Sequence, residues 1–124
     1  MVVGNPNNIA FSIGRYCPHS TLRKVEIFLS GNVITNENNM AYVPSFTYAL
    51  KREAMYLRKR RIEPNWRFMN LEDITDNFSL RVYFSNNRLI DKEFKNHRFK
   101  IVGVLPVESI IQTFLLAVKQ LERA

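Results

Sequence analysis

Residues 44–61, PSFTYALKREAMYLRKRR, constrain the fold most because they combine a helical apolar period with a block of positive charge. Pro44 and Ser45 suit a helix start, where proline is tolerated and a serine oxygen can accept a hydrogen bond from an unpaired amide. Apolar side chains then recur every three or four positions, which places them on one face of a helix. These residues are Phe46, Ala49, Leu50, Ala54 and Leu57. The segment therefore predicts an amphipathic helix with its apolar face in a core.

The positive charge of the chain is concentrated at the end of this predicted helix. The formal net charge is +7, of which residues 1–62, with nine basic and three acidic residues, contribute +6. Such a patch suits nucleic acid, an acidic protein surface or anionic lipid. The alternative is a solvated face whose cations favour the negative end of the helix dipole. On the helix only Glu53 opposes the cations, so we expect a positively charged exposed surface.

Aromatic side chains near the cations extend the predicted contact surface. Tyrosine, tryptophan and arginine are enriched at the energetic centres of protein interfaces, and aromatic rings also stack on nucleic acid bases. Tyr56 lies within the predicted helix and Trp66 follows its basic end. The predicted partner-binding residues are Lys51, Arg52, Tyr56, Arg58, Lys59, Arg60, Arg61 and Trp66.

The rest of the chain predicts strands, turns and a second helix. Alternation of apolar and polar side chains with a period of two is typical of a half-buried strand. Residues 30–32 favour a tight hairpin turn, and residues 2–8 suggest a loose lead-in. Pro106 opens a second amphipathic helix that runs to the C terminus. The predicted strands are 9–16, 24–29, 33–34, 78–85, 88–94 and, as a central strand, 98–105.

This order of elements predicts an α+β fold. Short turns between consecutive strands favour antiparallel pairing, and two amphipathic helices would cover one face of the sheet. We expect a single two-layer domain over residues 1–124, a length sufficient for a core without disulfide or metal support. Cys17 is the one cysteine, no apolar run approaches the roughly 20 residues that span a bilayer, and the start lacks a signal peptide. A soluble cytoplasmic protein is therefore expected.

The sequence offers little for catalysis. Cys17 and His19 are two residues apart, but one cysteine and two histidines do not supply a four-ligand zinc site from those types, and no HExxH or CxxC spacing occurs. The glycines are isolated, so neither a phosphate loop nor a dinucleotide fingerprint can be assembled. We therefore expect no catalytic residue, no metal and no cofactor.

Residues 25–46, VEIFLSGNVITNENNMAYVPSF, precede a charged helix, a strand-rich middle and a closing apolar helix. This arrangement resembles the small immunity proteins of bacterial contact-dependent growth inhibition and related polymorphic toxin systems. The resemblance implies a non-enzymatic cytosolic protein that binds one cognate toxin domain, commonly a nuclease, and blocks it. Partners of basic nucleases tend to be acidic, whereas this chain is basic. A small nucleic-acid-binding protein is the alternative hypothesis, and an enzyme is the least favoured one.

Overall fold

The computed structural model describes residues 1–35, 39–59, 71, 75, 80–85, 88–94 and 104–123, with the backbone path alone for residues 80–85, 88–94, 104 and 105. The coarse order of strands, helix, strands and helix is the one that the sequence predicts. The elements are β1 (Val2–Asn5), β2 (Ile9–Ile13), β3 (Leu22–Leu29), β4 (Asn32–Val33), β5 (Met40–Tyr42), α1 (Val43–Lys59), β6 (Leu80–Ser85), β7 (Arg88–Phe94), β8 (Val104–Pro106) and α2 (Val107–Glu122).

Strands β1 to β5 form one antiparallel sheet. β1, β2 and β3 lie side by side, and the free edge of β3 pairs with β4 at one end and with β5 at the other. The turn between β3 and β4 lies at Ser30 and Gly31, whose φ angles of 50° and 83° are both positive. Two central residues with positive φ are typical of the tight hairpin turns that match the twist of antiparallel strands. The predicted hairpin is therefore confirmed.

One face of this sheet carries the core. Val25, Ile27 and Leu29 on β3 are buried, and the register places Phe11 opposite Ile27. The intervening side chains of β3 point to the opposite face and are more exposed. Because side chains alternate along a strand, burying one face fixes the register of the pairing. The predicted period of two in residues 24–29 is confirmed.

Both helices lie on that buried face and pack against each other. Phe11 of β2 makes edge-to-face contacts with Phe46 of α1, at 6.5 Å between ring centroids, and with Phe114 of α2, at 5.7 Å. Fully burying one such side chain contributes about 1.5–3 kcal/mol, and ring pairs add about 0.5–1.5 kcal/mol. These three rings join the two helices to the sheet, so the predicted α+β fold with two helices on one face is confirmed.

Two threonines on the helices remain buried without an unpaired hydroxyl. Thr47 donates a hydrogen bond to the carbonyl oxygen of Val43 at 2.9 Å, and Thr113 donates one to that of Ser109 at 2.8 Å. A threonine can satisfy its hydroxyl within its own helix in this way. Both helices can therefore turn a polar residue toward the core without the cost of an unpaired buried hydroxyl.

Several predicted boundaries differ from the structure. Residues 2–5 form β1 rather than a loose lead-in, since they pair with β2 along their whole length. β2 ends at Ile13 rather than at residue 16. β6, β7 and β8 form a second antiparallel group in which β7 is central, so the predicted central strand at 98–105 is represented by β8 at its edge within the described part. Residues 98–103 lie outside that part, and the single-domain organisation of residues 1–124 stays a prediction.

Candidate partner-binding surface

The exposed side of α1 carries an aromatic ring, cations and an apolar side chain at helical spacing. Tyr48 is 66% exposed, and Lys51, Met55, Arg58 and Lys59 follow on the same side. Residues three or four positions apart on a helix are neighbours at its surface. The predicted helix therefore presents a continuous mixed strip to solvent.

Glu53 lies on the opposite side of α1 and is fully buried. The expectation that it stands among the exposed cations is wrong. Its position follows from spacing, since Leu50 and Leu57, three residues before and four residues after it, are buried on the same side. A buried acid is stable when it is paired or hydrogen-bonded, and Glu53 does make an intramolecular interaction. The exposed surface of α1 therefore carries cations without a carboxylate of its own.

The other predicted partner-binding residues have different surroundings. Lys51 forms a salt bridge with Glu122 of α2, at 2.8 Å between Nζ and Oε1, and both side chains are about half exposed at 54% and 50%. Arg52 and Tyr56 are half-buried, while Arg58 and Lys59 are exposed. The residues of the prediction that lie outside the described part of the chain are Arg60, Arg61 and Trp66.

A second cationic cluster lies at one end of the five-stranded sheet and was not predicted from the sequence. Ile13 pairs with Val25 across β2 and β3, and the amide of Gly14 donates to the carbonyl oxygen of Lys24 at 2.8 Å. This antiparallel register brings Arg15, just after β2, next to Arg23 at the start of β3. These two arginines are eight positions apart along the chain, so no local charge run reveals them.

The side chain of Arg23 is held in place on two sides. Its Nε donates a hydrogen bond to the carbonyl oxygen of Gly14 at 3.0 Å. Its guanidinium carbon lies 5.3 Å from the centroid of the Tyr16 ring, within the range of a cation–π interaction. Arg23 therefore presents a charged, planar group whose orientation is largely fixed before any partner arrives.

Two clefts surround this end of the sheet. The first has a volume of about 370 Å³ and is lined by Arg15, Tyr16, Arg23 and, from the last turns of α2, Gln120. The second, of about 340 Å³, is lined by Ser12, Arg15, Lys24 and Glu26. Both also include Met1, Ile13 and Gly14, so the two clefts adjoin at the sheet end. They open on opposite faces of the sheet, since Arg23 lines the first, Lys24 and Glu26 line the second, and side chains alternate along β3. We name this region the cationic cleft.

The sheet face opposite the helices is rich in exposed apolar side chains. The register places Leu22 opposite Tyr42, Lys24 opposite Met40 and Phe28 opposite Val33 on this face. Val2 on β1 lies on the same face, opposite Ser12. Its large apolar residues with exposed fractions between 44% and 57% are Val2, Leu22, Val33, Met40 and Tyr42. Ser12, Lys24 and Glu26 lie among them on this face. Exposed apolar surface with polar residues around it often marks an interaction site, and we name this surface the open sheet face.

The loop between β2 and β3 contains the candidate nucleophile and imidazole. Cys17 is exposed and unpaired with another cysteine, and His19 adopts a left-handed backbone with φ of 68°. Among the residues that the structure describes, no group of three or more histidine, cysteine and acidic side chains is placed to hold a metal ion. In the same part of the chain, neither α1 nor α2 is long and apolar enough to cross a bilayer.

The chain was compared with protein-family models, curated protein sequences and solved structures. No protein-family model matches the chain, and no curated protein matches its sequence. The antiparallel sheet with two helices on one face does match a solved α+β structure over almost its whole length. That structure is CdiI from Burkholderia dolosa AUO158, with a TM-score of 0.65 and 15% sequence identity over 97% of this chain and 99% of the other.

CdiI is an immunity protein of contact-dependent growth inhibition. Sequence identity of 15% is too low to transfer individual residues, so the match is a statement about the fold. The resemblance predicted from residues 25–46 and the elements after them is confirmed at that level. The surfaces of this chain that are available for binding are the basic surface of α1, the cationic cleft and the open sheet face.

Proposed function

We propose that this chain is an immunity protein that binds a cognate toxin domain and neutralises it. The observation that carries the proposal is the end-to-end match to CdiI, at a TM-score of 0.65 over 97% and 99% of the two chains. The exposed apolar and cationic surfaces described above support a role in binding. The chain acts in the cytoplasm by binding rather than by turnover, and it needs no cofactor.

Neutralisation proceeds by occlusion, in which a preformed surface covers the active site or substrate channel of the toxin. The toxin is a nuclease domain in this proposal, and it presents an acidic surface to the basic immunity protein. Complementary charge accelerates encounter and excludes wrong partners. The proposed contacts on and after α1 are Lys51, Arg52, Tyr56, Arg58, Lys59, Arg60, Arg61 and Trp66.

The proposal is tested by expressing the chain together with a candidate toxin domain, chosen from toxin-like domains encoded in neighbouring reading frames. We expect growth of cells that express both proteins, arrest of cells that express the toxin domain alone, and a stable stoichiometric complex by size-exclusion chromatography with light scattering. A toxin domain from an unrelated system serves as the specificity control. Growth arrest despite co-expression, with no complex formed, would overturn the proposal.

The alternative function is nucleic acid binding, favoured by the exposed Arg58 and Lys59 on a helix surface without a carboxylate. Phosphate contacts release counterions, so the logarithm of the binding constant falls by about 0.9 per phosphate contact for each tenfold rise in salt. Titration of a duplex and a single-stranded oligonucleotide at 50 and 200 mM salt separates the two functions, since a flat salt response excludes the alternative.

A further inference from the structure

We propose that the cationic cleft receives a carboxylate side chain of the partner protein, and that Arg23 holds this carboxylate through its two terminal nitrogens. The inference rests on the proposed function and extends it, because it names a contact site away from the basic end of α1. The site joins the end of β2, the start of β3 and the last turns of α2.

The side chain of Arg23 has a fixed orientation that leaves its two terminal nitrogens available. Its Nε is already used by the carbonyl oxygen of Gly14, and the ring of Tyr16 lies against the guanidinium. The two terminal nitrogens have no partner among the described residues. A guanidinium with two free terminal donors matches the geometry of a carboxylate, which can accept two parallel hydrogen bonds. Prior fixation lowers the rotamer entropy that such a contact would otherwise cost.

The positive charges at this end of the sheet are not neutralised by carboxylates of the described residues. Arg15 and Arg23 line the first cleft, and Arg15 and Lys24 line the second; within the described ranges no carboxylate lies within 4.0 Å of their charged nitrogens. Glu26 lines the second cleft, where its Oε1 accepts a hydrogen bond from Asn39 at 3.3 Å. By contrast, Lys51 already has the carboxylate of Glu122 at 2.8 Å. An added anion therefore gains more at the cleft than at Lys51.

The surroundings of the cationic cleft favour a protein ligand over a nucleic acid. Glu26 places a negative charge in the second cleft, where it would oppose a chain of phosphates. The open sheet face continues from this cleft, with Met40 paired to Lys24 and with Leu22 and Tyr42 next along the strands. Arg15 lines both clefts and so connects the Arg23 site to this apolar surface around the sheet end. An apolar surface near isolated cations suits a protein segment that carries one acidic residue among apolar ones. We therefore assign the site to an acidic side chain of the toxin domain.

The experiment measures binding of the candidate toxin domain to four variants by surface plasmon resonance. Arg23→Gln is expected to weaken binding about 10- to 100-fold, as for the loss of a charge-assisted hydrogen bond. Arg23→Lys keeps the charge but not the planar pair of donors, so a loss is expected there too. Arg15→Gln removes a cation whose side chain makes no hydrogen bond or ion pair with the described residues, and a smaller loss is expected. Lys119→Gln on the exposed side of α2 is the matched control and should bind as the parent does.

A double-mutant cycle identifies the partner residue. Each acidic residue on the surface of the toxin domain is replaced by alanine, and one replacement should make Arg23→Gln almost without further effect, because the two residues form one contact. Circular dichroism melting curves of Arg23→Gln and Arg15→Gln confirm that both variants are folded.

The outcomes separate the two proposals. If the parent chain binds the toxin domain and both Arg23→Gln and Arg15→Gln bind as tightly as Lys119→Gln, the cleft assignment is wrong and the proposed function stands. If the parent chain does not bind the toxin domain, both are wrong. Loss of oligonucleotide binding or of self-association in Arg23→Gln, without loss of toxin binding, also overturns the assignment.

Discussion

The two cationic regions of this molecule arise in different ways. The basic end of α1 is continuous in sequence, and a single helix exposes its cations to solvent. The cationic cleft combines residues from β2, β3 and α2 that only the strand register and the helix packing bring together. In the first region one lysine is already paired with Glu122, whereas in the second the terminal nitrogens of Arg23 have no partner among the described residues. The density of charge in a sequence is therefore a poor guide to where the fold fixes the orientation of a charged side chain.

This difference predicts different roles in binding. Long exposed cations keep their rotamer freedom and lose it only on contact, so they contribute more to encounter than to residence. A fixed guanidinium in a cleft loses less entropy on contact and can slow dissociation. Both regions depend on the same core, in which Phe11, Phe46 and Phe114 join the sheet to the two helices.

The largest effect is expected from Phe11→Ala. Phe11 contacts Phe46 and Phe114, so its removal leaves a cavity between the sheet and both helices. The free energy of unfolding should fall by about 3–5 kcal/mol, measured by denaturant titration, and both cationic regions should lose binding together. Tyr48→Ala on the exposed side of α1 should change stability by less than about 0.5 kcal/mol. Equal effects of the two substitutions would contradict the assigned core.

The next effect is expected from Gly4→Ala in β1. Gly4 has φ of 94°, and an added Cβ would meet the backbone oxygen of Ile9 and lie 2.7 Å from Cγ2 of Thr113. Backbone strain and the contact with α2 should together cost about 2 kcal/mol or more. Gly31→Ala has a similar φ of 83°, but no atom of the described residues lies within 4 Å of the added Cβ, so the substitution should cost only the strain, about 1 kcal/mol. Melting curves of the pair measure the difference.

Charge reversal of Arg58 and Lys59 should affect mainly the association rate. Both side chains are exposed, and rim charges act through long-range attraction that salt screens. The double variant should bind the toxin domain several-fold more slowly at low salt, with the difference shrinking as salt rises. Arg23→Gln should instead raise the dissociation rate at every salt concentration. The comparison fails if both variants change the same rate constant.

The smallest effect is expected from Lys51→Met. The salt bridge to Glu122 joins two half-exposed side chains, and such pairs contribute less than about 1 kcal/mol. Stability should therefore change little, and the change should shrink further in high salt. If Lys51→Met also leaves toxin binding unchanged, the pair with Glu122 accounts for this lysine and the basic surface of α1 begins at Arg52. A loss above 2 kcal/mol in unfolding would contradict the exposed geometry.

Much of the fold could be predicted because the spacing of apolar residues within single segments determines many of its elements. The alternation in β3, the glycine turn after it and the apolar stripe of α2 each follow from spacing within one segment. β1 was missed because four residues that include Gly4 show no clear period, and their strand conformation depends on pairing with β2. Such pairing is a property of two segments, which a single stretch of sequence does not carry.

The candidate site was harder to predict than the fold. The spacing of Glu53 between Leu50 and Leu57 already indicates a buried position, but its charge suggested an exposed one. The pairing of Arg15 with Arg23 requires the register of β2 against β3, and the connection between these strands gives no charge run. Assuming that residues 9–13 and 25–29 pair as an antiparallel hairpin would have predicted that Arg15 lies close to Arg23. Clefts between elements are therefore the part of a binding site that needs the coordinates.

The most direct test of the account is a titration of the toxin domain's activity with the purified chain. For a nuclease toxin, the readout is cleavage of a fluorescent oligonucleotide at toxin concentrations far above the dissociation constant. The account predicts a linear loss of activity that reaches zero at one chain per toxin domain, with no loss for an unrelated toxin. Undiminished cleavage at a tenfold molar excess of the chain would contradict it.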